Sequence, residues 1–137
     1  AGSVTKGLKG QELTDFDALL EAGAPCLTDD GINLTSAALC RTAMAEAAKR
    51  GTLLSFHEEE PSLVPSPGVN YGSAAAKHFG VPGAMASAES AMIGRDIALA
   101  LDTGETCADR AEAKKRLYDA GLSHGLFRTC AGPKAEY

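Results

Sequence analysis

Tryptophan is absent from the sequence, and aromatic residues of all kinds make up only 5% of it. Without large rings, a core has to be filled by close helix packing and small aliphatic side chains, so the buried volume is thin for the length. No apolar run approaches the roughly 20 residues of a membrane-spanning helix, so no membrane partner is expected. There is no signal-peptide pattern, and the chain opens Ala1-Gly2-Ser3 without Met, which reads as a fragment rather than a native translation start. Cys26, Cys40, Cys107 and Cys130 form no CxxC pair and no metal-finger spacing; they are expected to be reduced, in a cytoplasmic protein. No basic block is present and the formal net charge is −5, which argues against nucleic acid or an anionic membrane surface as partner. No glycine cluster fits GxGxxG or a P-loop, so a nucleotide cofactor has no support.

What is present is 137 residues, 45% apolar and 23% charged, the composition of one globular domain without disorder. The length is about half that of a complete (β/α)8 barrel. Residues 3–6 are short and β-prone, and a helix is expected over 12–21, where Leu13, Phe16, Leu19 and Leu20 recur at helical spacing, with Thr14 or Gln11 as cap and Gly23 as stop. A second strand over 25–28 runs into Asp29-Asp30-Gly31. Thr35 or Ser36 caps a helix over 37–50 with a Leu39, Ala43, Ala47 stripe, and Gly51 closes it. A third strand over 52–56 ends at His57, followed by Glu58-Glu59-Glu60-Pro61 and a long loop with Pro65, Pro67 and Gly68. Short and long helices are expected over 73–78 and 86–101, the longer one with apolar residues around most of its circumference, as for a helix buried against a sheet, and stopped by Gly104. Beyond about residue 105 the alternation breaks. Residues 109–120 read as a charged amphipathic helix and 123–137 as irregular.

The order β-α-β-α-β-α implies a parallel α/β sheet with covering helices. Such folds place chemistry at the carboxyl ends of their strands, where Asp29, Asp30 and His57 sit. Carboxylate and imidazole on adjacent strands, about 5 Å apart, suit a shared divalent metal. Asp29-Asp30-Gly31 reads equally as a turn, since Asp supports tight turns and Gly supplies positive φ. A His beside an acidic run is more often solvated than ligating, and Glu58–Glu60 is most simply an acidic helix start or a solvated face. His78 at a helix end suits the local dipole, and His124 has no acid partner at a triad spacing. Lys6 and Lys9 read as solvated more readily than as an anion site, and Arg95-Asp96 as a structural ion pair to another element.

Several segments together carry a resemblance. In order they are Val4-Thr5-Lys6-Gly7-Leu8-Lys9-Gly10, Leu19-Leu20-Glu21-Ala22-Gly23-Ala24, Thr28-Asp29-Asp30-Gly31, Ser55-Phe56-His57-Glu58-Glu59-Glu60-Pro61 and Gly68-Val69-Asn70-Tyr71-Gly72. Ala88-Glu89 and Met92 through Ala100, followed by Thr103-Gly104, complete the set. Over residues 1–104 these resemble the central portion of bacterial dihydroorotases of the amidohydrolase superfamily. The resemblance implies part of a TIM (β/α)8 barrel, with the three strands roughly its third to fifth. It also implies reversible ring closure of N-carbamoyl-aspartate to dihydroorotate in pyrimidine biosynthesis, assisted by one or two zinc ions. By resemblance Asp30 matches a carboxylate that ligates or bridges metal, and His57 a histidine metal ligand.

The departures are specific. The family's His-x-His pair of the first strand and the substrate-binding Arg after it are missing. Thr106-Cys107-Ala108-Asp109 stands where Ile-Gln-His with a further ligand is expected, and the catalytic Asp of the eighth strand is absent. A chain with two of the required groups is expected to be inactive alone. An open piece of parallel barrel exposes strand edges and an apolar face, so self-association is expected. The competing class is a noncatalytic scaffold, as some dihydroorotase-like chains are beside aspartate carbamoyltransferase. An unrelated small α/β binding domain fits the ordered segments poorly. Hydantoinases and allantoinases generally place a carboxylated lysine where this chain has Thr28-Asp29-Asp30, which favours dihydroorotase.

Overall fold

A computed structural model of the chain describes residues 1–103. Gly104, the charged helix expected over 109–120, His124, Cys107 and Cys130 lie outside the described residues. Two short strands, β1 (Leu27–Thr28) and β2 (Leu54–Ser55), pair in parallel with Leu27 opposite Leu54 and Thr28 opposite Ser55. On the other side of β1, Gly2 forms a parallel bridge to Leu27, its N–H donating to Cys26 O at 2.9 Å while its carbonyl accepts from Thr28 N at 2.8 Å. The strand expected over 3–6 is therefore reduced to bridges. The chain turns away through a 3-10 turn at Lys6–Leu8, with φ of +61° at Gly7 and +57° at Leu8, and Thr5 pairs antiparallel with Leu13 instead.

Helix α1 spans Phe16–Glu21, shorter than expected, because Asp15 rather than Thr14 or Gln11 caps it through an acceptor bond from Ala18 N. The Thr14 hydroxyl donates to the Ser3 and Val4 carbonyls and holds the first segment instead. Helix α2 spans Ala37–Arg50 between the Ser36 cap and Gly51, whose φ of +60° is the left-handed stop. Its buried face is Cys40, Ala43, Met44 and Ala47, with Leu39 only half-buried at the edge. With Val4, Phe16, Leu27 and Leu34 these residues form the core, where three small side chains let the helix lie close to the strands. The Arg50 guanidinium joins Asp17 and Glu46 and lies 6.0 Å over the Phe16 ring, tying the end of α2 to α1.

Helix α3 (Ala74–Phe79) is capped by Ser73 and stopped by Gly80. Helix α4 (Ser87–Thr103) packs against α2. Only Ala88, Met92 and Asp96 of α4 are buried, while Ile97 and Leu101 are 46% and 73% exposed. The expectation of a helix buried against a sheet is corrected: α4 packs on α2, with Ala88, Met92 and Asp96 buried, Leu99 and Ala100 half-buried against the core, and Ile97 and Leu101 facing outward. The architecture is α/β, with a small parallel sheet and helices packed beside it. No helix among the described residues is long and apolar enough to cross a membrane.

Candidate functional site

The parallel register fixes which strand-end residues correspond. Asp30 lies two residues beyond Thr28 and His57 two beyond Ser55, so they hold equivalent positions past the last paired residues of neighbouring strands. Asp30 is exposed and adopts φ +54°, a left-handed conformation that a non-glycine residue rarely takes. Its N–H donates to Thr28 Oγ1 at 3.0 Å, and Ile32 N donates to Asp29 O at 3.0 Å, so Asp29-Asp30-Gly31 is a turn whatever else it does.

The two neighbouring aspartates face opposite ways. Asp29 is 3% exposed, and its carboxylate accepts from Thr5 N at 2.9 Å and from the Thr5 hydroxyl. Thr5 Oγ1 in turn accepts from Gly10 N at 3.0 Å. Asp29 thus clasps the N-terminal segment to the end of β1, leaving Asp30 as the carboxylate open to solvent.

His57 is exposed past β2, with Nε2 3.6 Å from Glu59 Oε2. It lines a cavity of about 390 Å³ together with Glu58, Glu59, Asn70, Met85 and Glu89. Asp30 is not among the residues that line this cavity. Among the described residues, no three His, Cys, Asp or Glu side chains converge closely enough to hold a metal ion. An imidazole and an open carboxylate are suitable zinc donors, yet they are two of the four that zinc ordinarily takes.

Behind His57 the acidic run divides: Glu60 starts a short helix, as expected of an acidic helix start, while Glu58 is not part of a solvated face. Glu60 caps a 3-10 turn at Pro61–Leu63 by accepting from Ser62 N and Oγ, and these bonds hold its carboxyl below the usual range. Glu58 turns inward against α4. Burial, then the charge of and a hydrogen bond with Asp96, lift its carboxyl to about 7, with Arg95 opposing and Glu89 adding. Asp96, 7% exposed, accepts from Arg95 Nε at 2.5 Å and from Cys40 Sγ at 3.7 Å. Burial, with Asp96 beside it, pushes the Cys40 thiol up to about 12, which leaves it an inert packing group.

Arg95-Asp96, expected to pair with another element, instead form an ion pair with each other, and Glu58, one acid in a charged run, gives no sequence signal that it joins them. An Asp on the stripe that Ala88 and Met92 define was the available signal, since an acid at a core-facing position requires partners.

Residues 2–107 match the family described as dihydro-orotase-like. The chain belongs to that family. A dihydroorotase of Clostridioides difficile is 49% identical over 104 residues, 76% of this chain and 24% of the relative. One of Brevibacillus brevis is 41% identical over 133 residues, 94% of this chain and 31% of the relative, a share that extends beyond residue 104. A third, of Lactococcus lactis, is 45% identical over 103 residues. The chain thus spans about a quarter to a third of the length of these relatives.

The other residues singled out from sequence lie apart. Lys6 pairs with Glu12, and both line with Lys9 a cavity of about 380 Å³, while His78 stacks edge-on against Phe79 at the end of α3.

Proposed function

We propose that the chain carries part of a dihydroorotase-type cyclic amidohydrolase, whose reaction is the reversible ring closure of N-carbamoyl-aspartate to dihydroorotate in pyrimidine biosynthesis. In this reading Asp30 and His57 are its share of a zinc centre. The observation that carries the assignment is the register: within a chain of this family, an open carboxylate and an imidazole stand at equivalent positions past two paired parallel strands. Zinc, when bound, lowers the pKa of a coordinated water and polarises a carbonyl. Asp30 supplies an anionic oxygen and His57 a neutral nitrogen, while Asp29 is committed to Thr5 and unavailable as a ligand. The family's catalytic Asp has no counterpart in this sequence, so the chain is expected to be inactive by itself.

The partial barrel of residues 1–104, with residues 105–137 as a divergent tail, belongs to the same proposal, as does a cytoplasmic location. Self-association is supported by the exposed Ile97 and Leu101 of α4 and by β2, which pairs only with β1 among the described residues. A monodisperse monomer in light scattering would count against it.

The test is zinc per chain by elemental analysis of the 137-residue protein, beside Asp30→Ala and His57→Ala. Stoichiometric zinc lost in both variants supports the half-site. Zinc retained in both removes these residues from it. No zinc in the parent chain favours the second reading, a noncatalytic dihydroorotase-like scaffold beside a partner such as aspartate carbamoyltransferase.

A further inference from the structure

Two adjacent residues of α4 reach the two segments that carry the candidate ligands. Arg95 Nη1 donates to Thr35 O at 3.1 Å, on the segment that leads from Asp30 to α2. Asp96 meets the Glu58 carboxyl, one residue past His57, and also accepts from Cys40 on α2. The Arg95 Nε bond to Asp96 Oδ1 joins the two halves of this bridge. A separate bond, Glu60 N to Ala88 O at 3.1 Å, ties the same post-β2 segment to the start of α4. Within the cluster Glu58 Oε2, Asp96 Oδ2 and Arg95 Nη2 are buried, and the two carboxyl oxygens can bond each other only when one of the acids carries a proton. Buried polar atoms carry a cost, and a hydrophobic residue on this stripe would pack without it. The geometry shows what the arrangement accomplishes.

We infer that Asp96 is a positioning residue: with Arg95 it braces the segments after β1 and β2 against α4 and so fixes where His57 stands relative to Asp30. The role rests on the proposed reading of those two residues as metal-site groups. Asp96 touches neither of them, and it acts through Glu58 on one side and through Arg95 and Thr35 on the other. An Asn at the same position keeps an oxygen for Arg95 and offers N–H donors to Glu58, so it preserves the brace. Ala removes it.

The experiment compares the full 137-residue chain with Asp96→Ala, Asp96→Asn, Glu58→Ala and Met92→Ala. The last removes a core side chain from α4 that is 2% exposed and plays no part in the brace. Two readouts are taken: amide exchange together with the His57 imidazole NMR signals in metal-free protein, and zinc affinity by titration. In Asp96→Ala, the His57 signals should shift and amide protection at Glu60 and Thr35 should fall selectively, with zinc affinity lower by about 10-fold or more, the usual effect of losing an outer-shell partner. Asp96→Asn should restore both, Glu58→Ala should reproduce the loss at His57, and Met92→Ala should lower thermal stability without the selective pattern.

If the parent chain binds no zinc but the metal-free pattern holds, the metal reading fails and the brace stands. If Asp96→Ala and Met92→Ala behave alike in both readouts, or Asn fails to rescue, the brace is overturned. Should Asp96→Ala fail to fold, Glu58→Ala decides alone: unchanged His57 signals in that variant overturn the inference.

Discussion

Raising the pH from 5 to 8 should weaken the fold, and Glu58 should be the reason. Its carboxyl lies at about 7 in the folded chain against 4.5 when free, lifted first by burial and then by Asp96. Between those values the folded state binds more protons than the unfolded one, so stability falls as pH rises. The contribution is fully present below pH 4.5 and is lost by the time the pH passes 7. At about 1.4 kcal/mol per pH unit, the interval sets a ceiling of roughly 3.5 kcal/mol. Glu58 keeps partial contact with water, and screening reduces the expected loss to about 2 kcal/mol.

Asp17, Glu46 and Glu60 act in the opposite sense, because their hydrogen bonds to Arg50, to Lys49 and Arg50, and to Ser62 hold them below their free values. Their contributions are present above the free values and fade as acid is added. Together the two groups predict maximum stability near pH 5. The assay is the urea midpoint by circular dichroism at pH 4 to 8, for the parent chain and Glu58→Gln. The glutamine donates to Asp96 without burying a charge, so its profile should be flat from pH 5 to 8 and should exceed the parent at pH 8. Parallel profiles for the two proteins would refute the argument.

Four further substitutions test single positions. Gly83→Ala should cost about 2 kcal/mol or more in thermal denaturation, since φ is +79° and a Cβ would sit 2.8 Å from Asn70 C and Tyr71 N. Gly68→Ala, at φ +91° with nothing within 4 Å, should cost only about 1 kcal/mol. Thr5→Val keeps the shape but removes the hydroxyl between Gly10 N and Asp29. It should cost roughly 2 kcal/mol, measured by the urea midpoint, and an unchanged midpoint would refute the clasp. Asp30→Gly should raise stability by about 1 kcal/mol by relieving the φ of +54°, while removing any zinc that the parent chain binds. A drop in melting temperature would show that Asp30 is held by contacts rather than strained.

The elements legible in the sequence were those with local signals. Ser36 and Gly51 bound α2 where its cap and stop residues stand, and Ser73 and Gly80 do the same for α3. Strands were legible as apolar runs but not in extent. Residues 3–6 lose their ladder because Gly7 and Leu8 turn the chain with positive φ, which β-prone neighbours do not announce. The exposure of Ile97 and Leu101 was illegible for a different reason. An apolar residue on a helix names no partner, and the face that α4 turns inward is set by its packing on α2, where Asp96 meets Cys40 and Leu99 and Ala100 lie against the core.

The candidate site divides along the same line. That Asp30 and His57 lie at strand ends follows from sequence order, but their equivalence depends on a register that a one-residue slip would have changed. Asp29 and Asp30 are chemically identical neighbours, and only Thr5, 24 residues earlier, separates them by claiming the first. Glu58 and Glu59 are likewise adjacent and identical, yet Asp96 draws in one while the other faces His57. In both pairs a distant polar residue sorts two equal acids into one that holds the fold and one left open at the strand end. The chemistry available to the site is therefore set by Thr5 and Asp96 as much as by the residues that would touch a metal.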